Sequence, residues 1–126
     1  MAARIAHVAI NADDPPASMD FYQALFDWRF SEYYPGFFRM AVEGRGSPVV
    51  AVQQRRDLLP GGPTTGFECT VAVQDVRAVM TAARAHGGQV LSDPQVIAQV
   101  GELVWLADPG GNVVGAMRYE AAPARS

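Results

Sequence analysis

The sequence has no lysine, one cysteine and two histidines in 126 residues. A single cysteine, Cys69, excludes an internal disulfide framework and any thiolate-rich zinc or iron–sulfur site, and it suits a reducing compartment. All ten basic residues are arginine and face thirteen acidic ones, giving a formal charge of −3. That balance offers no electrostatic footprint for nucleic acid or anionic lipid. There is no apolar run of the roughly 18 residues a membrane-spanning helix needs, and Met1 to His7 shows no apolar stretch of signal-peptide length. A cytoplasmic location is therefore expected, without nucleic-acid or membrane partners. The length fits one domain, and 49% hydrophobic residues supply a core that needs no staples.

The chain repeats itself, which bears on the fold before any motif does. Arg4 to Ile10 reads as a strand, and Asp13-Asp14-Pro15-Pro16 then provides a cap and a helix-starting proline. In the helix that follows, Ala17, Phe21, Leu25 and Trp28 step by three and four as a buried stripe would, with Tyr22 and Phe26 beside them. From Gly66 the plan recurs. Phe67 to Val73 is a strand, Asp75 a cap, and Val76, Val79, Met80 and Ala83 the inner stripe of a helix ending at Gly87-Gly88. Superposing Asp14 on Asp75 gives an offset of 61 residues, which places Glu68 on His7.

The second half of each repeat also corresponds. Phe37 to Val42 and Pro48 to Gln53 are strands joined through Glu43-Gly44-Arg45-Gly46, while Glu102 to Ala107 and Asn112 to Met117 are joined through Asp108-Pro109-Gly110-Gly111. Here the offset is 64, pairing Ala51 with Gly115. The reading is one domain over 1–126, with a first module over about 1–56, a linker over about 54–65, a second module over about 66–120 and a loose tail over 121–126.

These residues resemble the vicinal oxygen chelate superfamily of glyoxalases, bleomycin-resistance proteins and extradiol dioxygenases. The resemblance rests on His7 in the first strand, Phe21-Tyr22 and Leu25-Phe26-Asp27-Trp28 in the first helix, Val73-Gln74-Asp75-Val76, Gly87-Gly88, and Asp108-Pro109-Gly110-Gly111-Asn112. It implies an α+β fold of two tandem βαβββ modules whose curved mixed sheets surround a cleft, commonly in a dimer. It also implies four metal-binding strand positions, which fall at His7, Ala51, Glu68 and Gly115. Ala51 and Gly115 carry no donor atom, so His7 and Glu68 leave a two-ligand site where catalytic metals generally keep three protein ligands. Asn11 and Gln53 are amide substitutes that suit a hard cation poorly.

Strand alternation puts Ile5, His7, Ala9 and Asn11 on one face, Glu68, Thr70 and Ala72 on another, and Ala51, Gln53, Gly115 and Met117 on cleft-lining positions, leaving Cys69 towards the core. Glu68 lies among apolar neighbours and so needs a cation, an arginine or a proton, for which His7 and Arg39 are the candidates. A desolvated Glu68 suits a catalytic acid or base; a structural ion pair with an arginine is the competing reading. His86, beside Gly87, reads as a helix-end residue. Phe37 and Trp105 are expected to face a flat apolar ligand. No nucleophile motif surrounds Ser18, Ser92 or Cys69.

The expected function is small-molecule binding in a cleft that Ala51 and Gly115 widen, with no cofactor. The competing function is a metal-dependent lyase, isomerase or dioxygenase acting on vicinal oxygens through a divalent metal on His7 and Glu68. The aromatic run Tyr33-Tyr34-Pro35-Gly36-Phe37-Phe38 is too large for a solvated loop and suggests a homodimer.

Overall fold

The computed structural model describes residues 2–41, 47–58 and 60–120. The expected turn at Glu43 to Gly46 and the tail over 121–126 lie outside the described residues. The chain divides into two compact units, one spanning Ala6–Cys69 and the other running from Thr70 onward together with the first residues up to Ile5. The division falls inside the central strand, so that Glu68 belongs with the first unit.

In the first unit, β1 (Ile5–Ala12) leads into α1 (Pro15–Phe26), followed by β2 (Ser31–Tyr34), β3 (Phe37–Ala41) and β4 (Val49–Gln54). The strand order is β2-β3-β4-β1. β1 and β4 are parallel, with His7 beside Val49 and Asn11 beside Gln53. The other pairings are antiparallel, Phe37 meeting Gln53 and Arg39 meeting Ala51. α1 opens as its sequence requires: Asp14 Oδ1 accepts a hydrogen bond from the Ala17 N–H at 3.2 Å, and Pro15 and Pro16 follow without costing a helical bond.

Of the expected inner stripe only Trp28, which lies beyond the end of α1, packs inward. Phe21 and Leu25 are each 54% exposed and Ala17 is also exposed, while Tyr22, Trp28 and Phe30 pack on Ile10, Ala12, Val50 and Val52. The helix carries Phe21, Tyr22, Leu25 and Phe26 on more than one face, so periodicity alone does not choose a side. The choice is made beyond the helix, where the chain turns at Asp27 in a left-handed conformation (φ 59°) and brings the Trp28 ring to 5.8 Å from Tyr22. The Gln23 side chain fixes that return by accepting the Phe30 N–H at 3.0 Å.

The second unit follows the same plan. It contains the end of β5 (Phe67–Ala72), then α2 (Val76–Ala85), β6 (Gln89–Val90), β7 (Gln95–Ile97), β8 (Gly101–Ala107) and β9 (Val113–Tyr119). Its order is β5-β9-β8-β6, with β7 also on β8. Asp75 Oδ1 accepts from the Ala78 N–H at 3.1 Å, repeating the Asp14 cap at the expected offset. Val79, Met80 and Ala83 pack with buried Val76 on Val104, Leu106 and Ala116, as the stripe requires. His86 is the C-cap, and Gly87 (φ 90°) supplies the left-handed residue that ends the helix. The fold is α+β, as expected, with β2, β6 and β7 added to the strands legible beforehand. Among the described residues no helix is long and apolar enough to cross a membrane.

Candidate functional site

The parallel register of β1 on β4 and the antiparallel register of β3 on β4 place His7, Ala9, Asn11, Val49, Ala51, Gln53, Phe37 and Arg39 on one face of the first unit. The opposite face carries the core of Ile10, Ala12, Val50 and Val52. Six expected site residues, His7, Asn11, Phe37, Arg39, Ala51 and Gln53, thus share one face, on which Asn11, Gln53 and Ala51 are buried, so Ala51 does not widen an open cleft.

A buried chain of polar groups crosses this surface. Gln53 Nε2 donates to Asn11 Oδ1 at 3.1 Å, and Asn11 Nδ2 donates to Glu68 Oε1 at 2.9 Å and to the Gly66 carbonyl at 3.1 Å. The other carboxylate oxygen, Oε2, takes an ion pair and hydrogen bond from the Arg56 guanidinium. Glu68 is 3% exposed, so this pairing answers the desolvation its position imposes. Of the partners considered beforehand, neither His7 nor Arg39 fills the role. Arg56 comes from the segment read as a linker, where nothing local marks it as functional. Its backbone carbonyl accepts both the Thr64 N–H at 2.7 Å and the Thr64 hydroxyl at 3.1 Å, and Thr64 is buried. The linker is thereby a clamped loop that delivers a cation to Glu68.

Burial, then the positive charges of Arg39 and Arg56, lower the pKa of His7 from 6.5 to about 4. The imidazole is neutral at neutral pH, with one nitrogen able to accept a hydrogen bond or a proton. Arg39 lies with its guanidinium carbon 4.3 Å above the centre of the Tyr33 ring. Beside it, Phe37 stacks on Tyr34 at 4.7 Å and 8°.

In the second unit, Thr70, Trp105, Gly115 and Met117 also come together. Trp105 pairs with Gly115 and Leu103 with Met117 across β8 and β9. A Cβ at Gly115 would stand 2.8 Å from Trp105 Cζ3 and 3.0 Å from Thr70 Oγ1. The absent side chain at 115 therefore does not widen a cleft. The indole fills that space, and Trp105 is buried instead of standing outward for a ligand. Cys69, on the face opposite Glu68, is half-buried.

The donor set does not fit a catalytic divalent metal. Ala51 and Gly115 bring no donor, both oxygens of Glu68 are engaged by Asn11 and Arg56, and the two guanidinium charges that disfavour a proton on His7 disfavour a dication there for the same reason. Among the described residues no group of three or more histidine, cysteine, aspartate or glutamate side chains converges.

Residues 4–115 match the model of the Glyoxalase/Bleomycin resistance protein/Dioxygenase superfamily. The chain is 30% identical over 112 residues to proteins named "Putative glyoxylase CFP32" from Mycobacterium tuberculosis and Mycobacterium bovis. The match covers 86% of this chain but 42% of those proteins. Among solved structures, a hypothetical protein from Bacillus halodurans has a TM-score of 0.69 at 12% identity, covering 99% of this chain and all of that one. A Streptomyces coelicolor methylmalonyl-CoA epimerase has a TM-score of 0.64 at 20% identity, covering 96% of this chain and all of that one. These likenesses carry the fold, and the family match carries the kinship: the chain belongs to the Glyoxalase/Bleomycin resistance protein/Dioxygenase superfamily.

Proposed function

We propose that this chain is a small-molecule-binding member of its superfamily that holds its ligand on the His7–Arg39–Phe37 surface and uses no metal on His7 and Glu68. The observation that carries the reading is the state of Glu68, whose two oxygens are taken by Asn11 and Arg56. A carboxylate committed in this way is a structural anchor for Arg56, in line with the ion-pair reading and not with a catalytic acid or base. Metal-dependent lyase, isomerase or dioxygenase chemistry would require a ligand set that His7 and Glu68 do not complete. What the surface offers a ligand is the neutral imidazole of His7, the guanidinium of Arg39 and the stacked Phe37 and Tyr34 rings. Such a mixture of apolar area and a few placed polar groups suits an organic molecule.

The test is ligand-observed nuclear magnetic resonance on chelator-treated protein against a library of small aromatic and aliphatic compounds. Saturable binding that is lost in Phe37→Ala supports the reading. Binding that appears only after divalent metal is restored, or no binding by any compound, overturns it.

A further inference from the structure

Eight arginines lie among the described residues, and five of them have a carboxylate within 4.0 Å. Arg29 pairs with Asp27, Arg55 with Asp13, Arg56 with Glu68, and Arg77 and Arg118 with Glu102. Of the other three, Arg4 and Arg84 are exposed and stay hydrated at no cost, whereas Arg39 is half-buried on the candidate ligand surface. A guanidinium withdrawn from water without a counter-charge is unfavourable unless something else holds or completes it. Tyr33 does the holding: its ring lies 4.3 Å below the guanidinium carbon. A contact with the ring face pairs none of the guanidinium N–H groups with an acceptor, and a guanidinium presents them in a fork that matches a carboxylate.

Among the described residues no carboxylate lies within 4.0 Å of the Arg39 guanidinium. Arg39 and Arg56 both act on His7, and while Glu68 offsets Arg56, no described carboxylate offsets Arg39. Phe37 belongs to the same strand two residues away and stands on the same face, its ring stacked on Tyr34. Resting on the small-molecule reading above, we infer that the ligand is an organic anion whose carboxylate is received by Arg39 and whose flat apolar body lies against the Phe37–Tyr34 pair.

The probes are 2-naphthoate and its neutral counterpart 2-naphthalenemethanol, titrated into the full chain by calorimetry or by amide chemical shifts. The expected result is that 2-naphthoate binds at least about tenfold more tightly than the alcohol, as one charge-assisted bidentate contact implies. Arg39→Met should abolish that preference, Arg39→Lys should retain part of it, and Arg84→Met should have no effect. Chemical shifts should move at Arg39, Phe37 and Tyr34. Equal affinity for the two probes in the native chain, or an unchanged preference in Arg39→Met, overturns the inference. So does failure of 2-naphthoate to bind while uncharged library compounds bind, in which case the small-molecule reading stands without it. Binding by no compound removes both.

Discussion

Gly115 lies beneath the ring of Trp105, its cross-strand partner, with Cζ3 at 2.8 Å from where a Cβ would stand. The side-chain space at this expected metal-binding position is occupied by an indole. Gly115→Asp is therefore expected to lower stability by about 1–3 kcal/mol through overpacking, and less in a Trp105→Leu background. Denaturant unfolding of the two single variants and the double variant checks this. Equal losses in both backgrounds would show that the ring and the glycine are not coupled.

Glu68 is almost fully buried and Arg56 is 39% exposed, so the pair sits where its attraction is only partly screened. Arg56→Met leaves a buried carboxylate without its cation and is expected to cost about 2–4 kcal/mol, more than Glu68→Gln, which leaves Arg56 able to reach water. A double-mutant cycle should return a coupling of at least about 1 kcal/mol, and strict additivity would contradict the pairing.

His7 resists a proton in the folded chain until about pH 4, whereas the unfolded chain takes one up near 6.5. The folded state thus binds fewer protons in that window. Stability from this residue is complete above pH 6.5, falls as pH drops and levels off below about 4, with a total loss of up to about 3 kcal/mol. In His7→Gln the slope of stability against pH should be shallower by up to one proton between these values. Parallel curves for the two proteins would mean that His7 is not the group responsible.

Phe21, Leu25, Phe26 and Phe67 are each more than half exposed, with Phe21, Phe26 and Phe67 grouped around the Tyr22 ring at 5.2 to 6.2 Å. An apolar patch of this kind calls for a partner surface. A homodimer is the expected form, and Phe21→Glu combined with Leu25→Glu should convert it to a monomer. Light scattering on the native chain that returns 13.5 kDa would contradict this.

The duplication was legible because it repeats chemistry that local rules require: Asp14 and Asp75 cap helices at the same offset, and strand alternation puts His7, Asn11, Ala51 and Gln53 on one face. Three features were not. Arg56 sits in an irregular loop, and although Glu68 demanded a cation, loop geometry carries no period from which to choose one arginine among several. The α1 stripe differs because half-buried Tyr22 packs on the core together with Trp28 and Phe30, which lie beyond the helix. The role of Gly115 depended on a large ring from a neighbouring strand, a packing fact that sequence offset cannot express. The aromatic run Tyr33 to Phe38, expected as a loop, is a hairpin turned at Pro35-Gly36, with Tyr34 paired with Phe37.

The central claim is that Glu68 is committed to Arg56 and Asn11 and holds no metal with His7. Inductively coupled plasma mass spectrometry of the chain, purified without chelator and dialysed against equimolar manganese, iron, nickel or zinc, tests it most directly. The account predicts well under one metal per chain, with the same residual content in His7→Ala and Glu68→Gln. One retained equivalent of metal, lost in both variants, would contradict it.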